Sequence, residues 1–227
     1  MLTENDHKRI SEAITNAESK TSGEVFCVLA HQVSRYREVP LIWAAAAAFL
    51  LPPLAVLAGL HRLAMTDVFS SWTDENARTV EGLILRAIST YALAQAALFL
   101  GVILIVSLPK VRRVMTPQFL KRHRVRQVAR HHFVAAGAKL GHAQPHILIY
   151  ASLWDRQVEL VAHAAIHKAV GQGPWNAAVA AVAEGMKAKK PADGFIRAIE
   201  ICGEALAAHF PSDGHSRNLL PNEIVEI

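Results

Sequence analysis

Six histidines gather within residues 131–167: His131, His132, His142, His146, His163 and His167. His163 and His167 stand four apart, a spacing that puts two imidazoles on one helix face and that zinc sites use. The residues between them are Ala-Ala-Ile, so the pair lacks the internal glutamate of a His-Glu-x-x-His metalloprotease helix. A helix that begins only after His163 breaks the spacing, and exposed or capping histidines are the plainer expectation. Phosphoryl transfer needs a nucleophile or a metal pair together with a cradle for phosphate. Asp155 and Arg156, with Glu159 close by, and Asp193 are residues of the right type, and a solvated turn competes for Asp155-Arg156. The stretch Gly171-Gln172-Gly173-Pro174 has two glycines near a helix start but neither the Lys nor the Ser/Thr of a phosphate-binding loop. Cys27 and Cys202 are the two cysteines, each inside an apolar pattern, and read as buried thiols of a reducing compartment. The metal candidates are therefore His163 and His167, and the phosphate candidates Asp155 and Arg156. No catalytic residue is assigned and no cofactor is expected.

The elements that must position these residues are easier to read. Of 227 residues, 52% are hydrophobic, and the mean hydropathy is +0.22. That is high for a soluble domain, and the excess falls in two windows, residues 39–60 and 87–108, each without a charged side chain. A helix over either window rises about 33 Å at ~1.5 Å per residue, close to the ~30 Å hydrocarbon thickness of a bilayer. A water-facing helix of that length carries a charged stripe, so both windows read as transmembrane spans. Pro52 and Pro53 interrupt the first, which predicts a kink near Leu50, with a re-entrant loop as the alternative. The run Ala44–Ala48 lets a second helix approach closely.

Flanking charge sets the orientation. Arg35 and Arg37 precede the first span, and Lys110, Arg112, Arg113, Lys121, Arg122, Arg124, Arg126 and Arg130 follow the second. The connector, residues 61–86, holds only Arg62, Arg78 and Arg86 against four acids. Positive-inside bias puts both termini in the cytoplasm and the connector outside, with Phe69 and Trp72 as interfacial anchors. The basic stretch 110–130 is drawn to anionic lipid at about 1 kcal/mol per residue. A pI near 9.4 also suits nucleic acid, but a basic segment directly after a span is topogenic, and no nucleic-acid partner is expected.

The remaining segments form one further unit. Thr3 and Asp6 make a capping box for a helix whose apolar face is Ile10, Ala13, Ile14 and Ala17. Thr21-Ser22-Gly23 turns the chain into a strand over 24–31, with Gly23 supplying positive φ and Glu24 facing outward. Thr116 and Pro117 open a helix with Val125, Ala129, Phe133, Ala136 and Leu140 on one face, ended by Gly141. A β-hairpin follows, with strands 147–153 and 158–163, and completes a sheet with the first strand. Helices over 164–170, from Pro174, and over 193–210 finish the unit, and residues 211–227 read as an extended or loosely docked tail. The fold class is α/β, a small mixed sheet flanked by helices and interrupted by a two-helix transmembrane hairpin. The divisions are residues 1–38 (first helix and strand), 39–60 (first span), 61–86 (extracytoplasmic connector), 87–108 (second span), 109–210 (remainder of the α/β domain) and 211–227 (tail).

The stretches "TSGEVFCVLA", "HILIYASLWDRQVELVAH" and "PADGFIRAIEICGEALAAHF", in that order, resemble the TPM domain family, in particular its membrane-inserted bacterial members. The resemblance implies a TPM-like sandwich in a multi-pass protein of the bacterial inner membrane. It also implies roles in maintaining membrane complexes, with acid phosphatase activity or calcium binding in some relatives. Where such relatives carry an Asp followed by Gly-Ile, this chain has His163-Ala164-Ala165-Ile166, which removes an oxygen ligand that calcium prefers. The expectation is an integral membrane protein whose cytoplasmic domain works by protein interaction in assembly or quality control of membrane proteins. Its partners are the lipid bilayer and other membrane proteins, and oligomer formation stays open. The alternative is a phosphatase or metal-dependent hydrolase on the same fold.

Overall fold

In the computed structural model, Thr3 caps helix α1 (Glu4–Glu18) through both halves of a capping box: its Oγ1 accepts from Asp6 N at 3.2 Å and its own N–H donates to Asp6 Oδ2 at 3.0 Å. The backbone bond from Thr3 is the first of the causes that hold the Asp6 carboxyl below its ordinary value. The structure describes residues 2–59, 80–140, 145–212 and 219–227. Most of the connector, with Phe69 and Trp72, as well as Gly141, His142 and residues 213–218, lies outside the described residues.

The chain divides into two compact units, residues 1–35 with 118–227, and residues 36–117. The first is a mixed α/β unit built on four strands: β1 (Glu24–Ala30), β2 (His146–Ser152), β3 (Gln157–Ala162) and β4 (Ile224–Glu226). Their order is β3-β2-β1-β4, with β1 parallel to both β2 and β4, and β2 antiparallel to β3. Both faces of β1 and β2 are covered, so these strands are apolar at nearly every position rather than alternating. Odd positions (Val25, Cys27, Leu29, Ile147, Ile149, Ala151) face the larger core. That core is closed by α1 and by α6 (Ala164–Val170), α7 (Gly173–Lys187) and α8 (Pro191–His209), which contribute Ile166, Trp175, Val182, Phe195, Ile199 and Leu206. Val28, Ala30, Leu148 and Tyr150 face the other way, onto Val125 and Ala129 of α5 (Gln118–Leu140).

Three details differ from expectation. Glu24 does not face outward; it is buried. Gly23 is not among the glycines with positive φ. Its small size matters instead, because a Cβ there would come within 3.3 Å of the Leu206 methyls, while its N–H donates to Thr21 Oγ1 at 3.1 Å. The tail's end is extended, one of the two readings, but it is firmly docked, since Ile224–Glu226 forms the edge strand beside β1.

The second unit holds α2 (Glu38–Leu57), α3 (Val80–Ser107) and the short α4 (Pro109–Met115). α2 continues through Pro52 and Pro53 as a single element. Thr116 ends α4 rather than opening α5, so the first part of the basic segment, with Lys110, Arg112 and Arg113, makes a short helix of its own and the rest belongs to α5. α2 packs on α3. Two segments, Glu38–Leu57 and Ala87–Ser107, are long and apolar enough to cross a membrane by length and composition.

Candidate functional site

Asp155 and Arg156 share a turn but point to different surroundings. Asp155 is buried, and its Oδ2 accepts from Ser152 Oγ at 2.6 Å and from Val33 N at 3.2 Å. Its carboxylate thus ties the β2–β3 turn to the chain leaving β1. Arg156 is exposed and sits at φ 52°, the left-handed backbone that the tight turn requires. Neither a solvated turn nor a paired phosphate cradle describes the two. Next to them, Lys121 Nζ lies 5.5 Å from the centroid of the Trp154 ring, a cation–π contact.

Two of the histidines, His132 and His146, lie where α5 packs on β2. His146, the first residue of β2, is buried and stacks on Phe133, with centroids 4.2 Å apart and planes at 21°. Gly137 lets α5 approach that ring, because a Cβ there would stand 3.0 Å from it. His163 lies 6.0 Å from His146, centroid to centroid. It is the N-cap of α6, its Nδ1 accepting from Ala165 N at 3.4 Å. His167 is exposed on that helix. Because α6 starts after His163, the two imidazoles do not share a helix face as a ligand pair would. Among the described residues no group of three or more His, Cys, Asp or Glu is placed to hold a metal ion. His132, whose centroid is 5.8 Å from that of Tyr150, has its pKa lowered by burial and then by the charge of His131. Burial, followed by the charge of Asp155, pushes the Tyr150 hydroxyl up to about 12.

A carboxylate pair that was not predicted lies at the start of β1, the end away from Asp155, where Glu24 is in register with His146. Glu24 accepts from the backbone N–H groups of Leu219 and Leu220, each at 3.0 Å. Glu18 accepts from Val25 N at 2.9 Å. Its carboxyl is pushed up to about 7, chiefly by burial and further by the charge of Glu24, against the lowering effect of the Val25 and Asn222 bonds. Glu226 accepts from Leu2 N at 2.9 Å and lies 3.2 Å from His7 Nε2. The tail is therefore fastened at both ends of its last segment by carboxylates. The β-branched residues Ile224, Val225 and Ile227 were the one signal for the edge strand. A separate pocket of about 340 Å³ is lined by Ala13, Asn16, Lys20, Glu200 and Glu204 among others, and none of the sequence-predicted site residues lines it.

The surfaces of α2 and α3 reverse the usual pattern. In α2 the buried residues include Ala44, Ala48 and Pro52, whereas Phe49 is 70% and Leu57 83% exposed. Along Ala87–Ser107 only Val106 is buried among the described residues, and Leu93, Leu100, Leu104 and Ile105 are exposed. Trp43 donates from Nε1 to Met115 O at 3.0 Å.

No family model matches the chain, and no curated protein does. Among solved structures, the NMR structure of the BA42 protein from the psychrophilic bacterium Bizionia argentinensis sp. nov. is similar at 18% identity. The match covers 100% of this chain and 96% of that one, with a TM-score of 0.49. At that level the likeness says nothing about what this chain does.

Proposed function

We propose that the chain is an integral protein of the bacterial inner membrane, crossing it twice through α2 and α3 with both termini cytoplasmic. Its α/β unit, a TPM-like domain, acts by protein interaction in the assembly or quality control of other membrane proteins. The observation that carries the reading is the exposure of large apolar side chains on both helices, Phe49 and Leu57 of α2 and Leu93, Leu100 and Leu104 of α3, with Ala44, Ala48 and Pro52 turned inward on α2. In water each large apolar side chain left exposed forgoes about 1.5–3 kcal/mol of burial, whereas in hydrocarbon it forgoes nothing. Small residues at the helix contact are what close packing between spans needs. Orientation is supported by the flanking Arg and Lys residues. An interaction role is supported by how the polar candidates are used: Asp155, His146 and His163 all hold the fold together. The residues first considered for the hydrolase alternative are used otherwise: His163 caps α6, and Asp155 is held by Ser152 and Val33.

The test is fractionation followed by crosslinking. The full chain should stay with membranes through an alkaline carbonate wash, and a reporter joined after Pro211 should be active only in the cytoplasm. Crosslinkers at exposed Glu184 should then capture a recurring set of membrane proteins. Release of the chain by carbonate would sink the membrane reading. A captured set no richer in membrane proteins than a soluble control would sink the interaction role.

A further inference from the structure

From Gly82 through Trp154 the chain contains no Asp or Glu, and α5 lies wholly inside that stretch. Its inner side is fixed by packing, with Val125, Ala129 and Ala136 buried. The other side carries Arg122, His123, Arg126 and Arg130, all exposed, framed by Phe119 at 73% and Val134 at 68% exposure. At about 100° per residue these six positions fall within an arc of roughly 120°, so they form one continuous surface about 22 Å long. Arg126 is drawn aside by Glu159, Nε to Oε1 at 2.7 Å. Arg122 and Arg130 make no ion pair among the described residues. A basic face with a bulky apolar residue near each end is not what solubility alone asks of a helix. Solubility would be served as well by mixed charges, and the apolar residues work against it.

We propose that this face of α5 is a docking surface for anionic phospholipid headgroups, which seats the α/β unit on the membrane surface. The inference rests on the spanning reading above, which ties the start of α5 to the end of α3 by only ten intervening residues, 108–117. Charge complementarity identifies the occupant. Three arginines meet phosphodiester anions, while Phe119 and Val134 reach the acyl boundary, as on an interfacial amphipathic helix. The two arginines without an ion pair among the described residues, Arg122 and Arg130, amount to roughly thirtyfold in the docked-to-undocked ratio near an anionic surface, less as salt rises.

The experiment uses the full chain carrying His123→Cys, labelled with an environment-sensitive fluorophore. Native Cys27 and Cys202 are buried and do not compete for the label. The protein is inserted into vesicles of neutral phosphatidylcholine or of the same lipid with 30% phosphatidylglycerol, both containing a headgroup-linked quencher. Quenching is expected to be strong in the anionic vesicles, weak in the neutral ones, and lost as salt approaches 1 M. Arg122→Gln/Arg126→Gln/Arg130→Gln should abolish the difference, whereas the matching Arg→Lys triple variant should keep it, because a lipid surface reads charge rather than guanidinium geometry. A label at Glu184→Cys on α7 should report no difference, and loss of its native signal in the Gln variant would expose misfolding. Equal quenching in both vesicle types, with the protein floating normally, overturns the docking surface alone. So does an oligonucleotide that binds the arginine face and leaves quenching unchanged. Failure to float with either vesicle overturns the spanning reading, and the docking surface with it.

Discussion

Replacing Glu18 by Gln should make the α/β unit more stable at pH 8 and leave it nearly unchanged at pH 5. Glu18 is half-buried beside Glu24, and its carboxyl is raised from an ordinary 4.5 to about 7. The folded state therefore holds a proton that the unfolded chain releases near 4.5. The associated stability is fully present below about 4.5 and is lost as pH rises to about 7, because over that window the folded protein binds more protons. At about 1.36 kcal/mol per pH unit the upper bound is about 3.4 kcal/mol. Solvent reaches part of the group, so screening reduces the expected figure to about 1–2 kcal/mol. Gln resembles the protonated acid: it keeps an acceptor for Val25 N and carries no charge to oppose Glu24. The assay is thermal unfolding of wild type and Glu18→Gln in the same detergent at half-unit steps from pH 4.5 to 8. Other groups titrate in both proteins, so the difference between them isolates Glu18. A difference that stays flat across the window, or that falls with rising pH, would refute the linkage.

Glu24→Ala removes the acceptor of two backbone N–H groups, and charge-assisted bonds of this kind are worth about 1.5–3 kcal/mol each. Amide exchange at Leu219, Leu220 and Ile227 should accelerate by at least tenfold, and unchanged exchange would show that Glu24 does not hold the tail. Gly203→Val should cost about 2 kcal/mol or more by overpacking, because even a Cβ would stand 2.7 Å from Ala17 Cβ; a denaturation midpoint equal to wild type contradicts this. Burial pushes the Cys27 thiol well up and the Cys202 thiol to about 12, so neither should react with an alkylating reagent at pH 8 until the chain unfolds. Rapid native labelling would place at least one of them outside the core.

Much of the architecture was legible because local and global signals agree. Thr3 and Asp6 announce α1 within one turn, and the turn at Trp154-Asp155-Arg156 sits between two apolar runs whose pairing needs no distant information. β4 was hidden by its length. Three residues, Ile224–Glu226, are too few for alternation to register, and the carboxylate that fastens the preceding segment sits 195 positions earlier. Glu24 was misread for a related reason. A polar residue opening a strand looks solvent-facing by parity, but β1 is covered on both faces, and then parity no longer separates inside from outside. The site residues were read by type, and type does not reveal employment. Asp155 could be known as a structural staple only once Ser152 and Val33 were seen against it.

The position of β1 makes one more expectation testable. It is an internal strand, paired with β2 on one side and β4 on the other, yet residues 36–117 separate it from everything else in its unit except α1. If the sheet is one cooperative core, a chain with residues 36–117 replaced by a flexible Gly/Ser linker retains every strand and should unfold in a single thermal transition. A fragment starting at Gln118 loses α1 and β1 together. That strips cover from Ile147 and Ile149 and leaves β4 without a partner. It also exposes a full edge of β2, a strand buried along its whole length and so an apolar template for aggregation. The fragment should therefore be insoluble or molten, with no cooperative transition by circular dichroism. Adding residues 1–35 as a separate chain should restore the transition, since the missing groups are packed rather than chemically linked to what remains. A fragment that melts cooperatively by itself, with no gain from residues 1–35, would mean that β1 is not required by the core, and the parallel pairing at the centre of this sheet would be wrong.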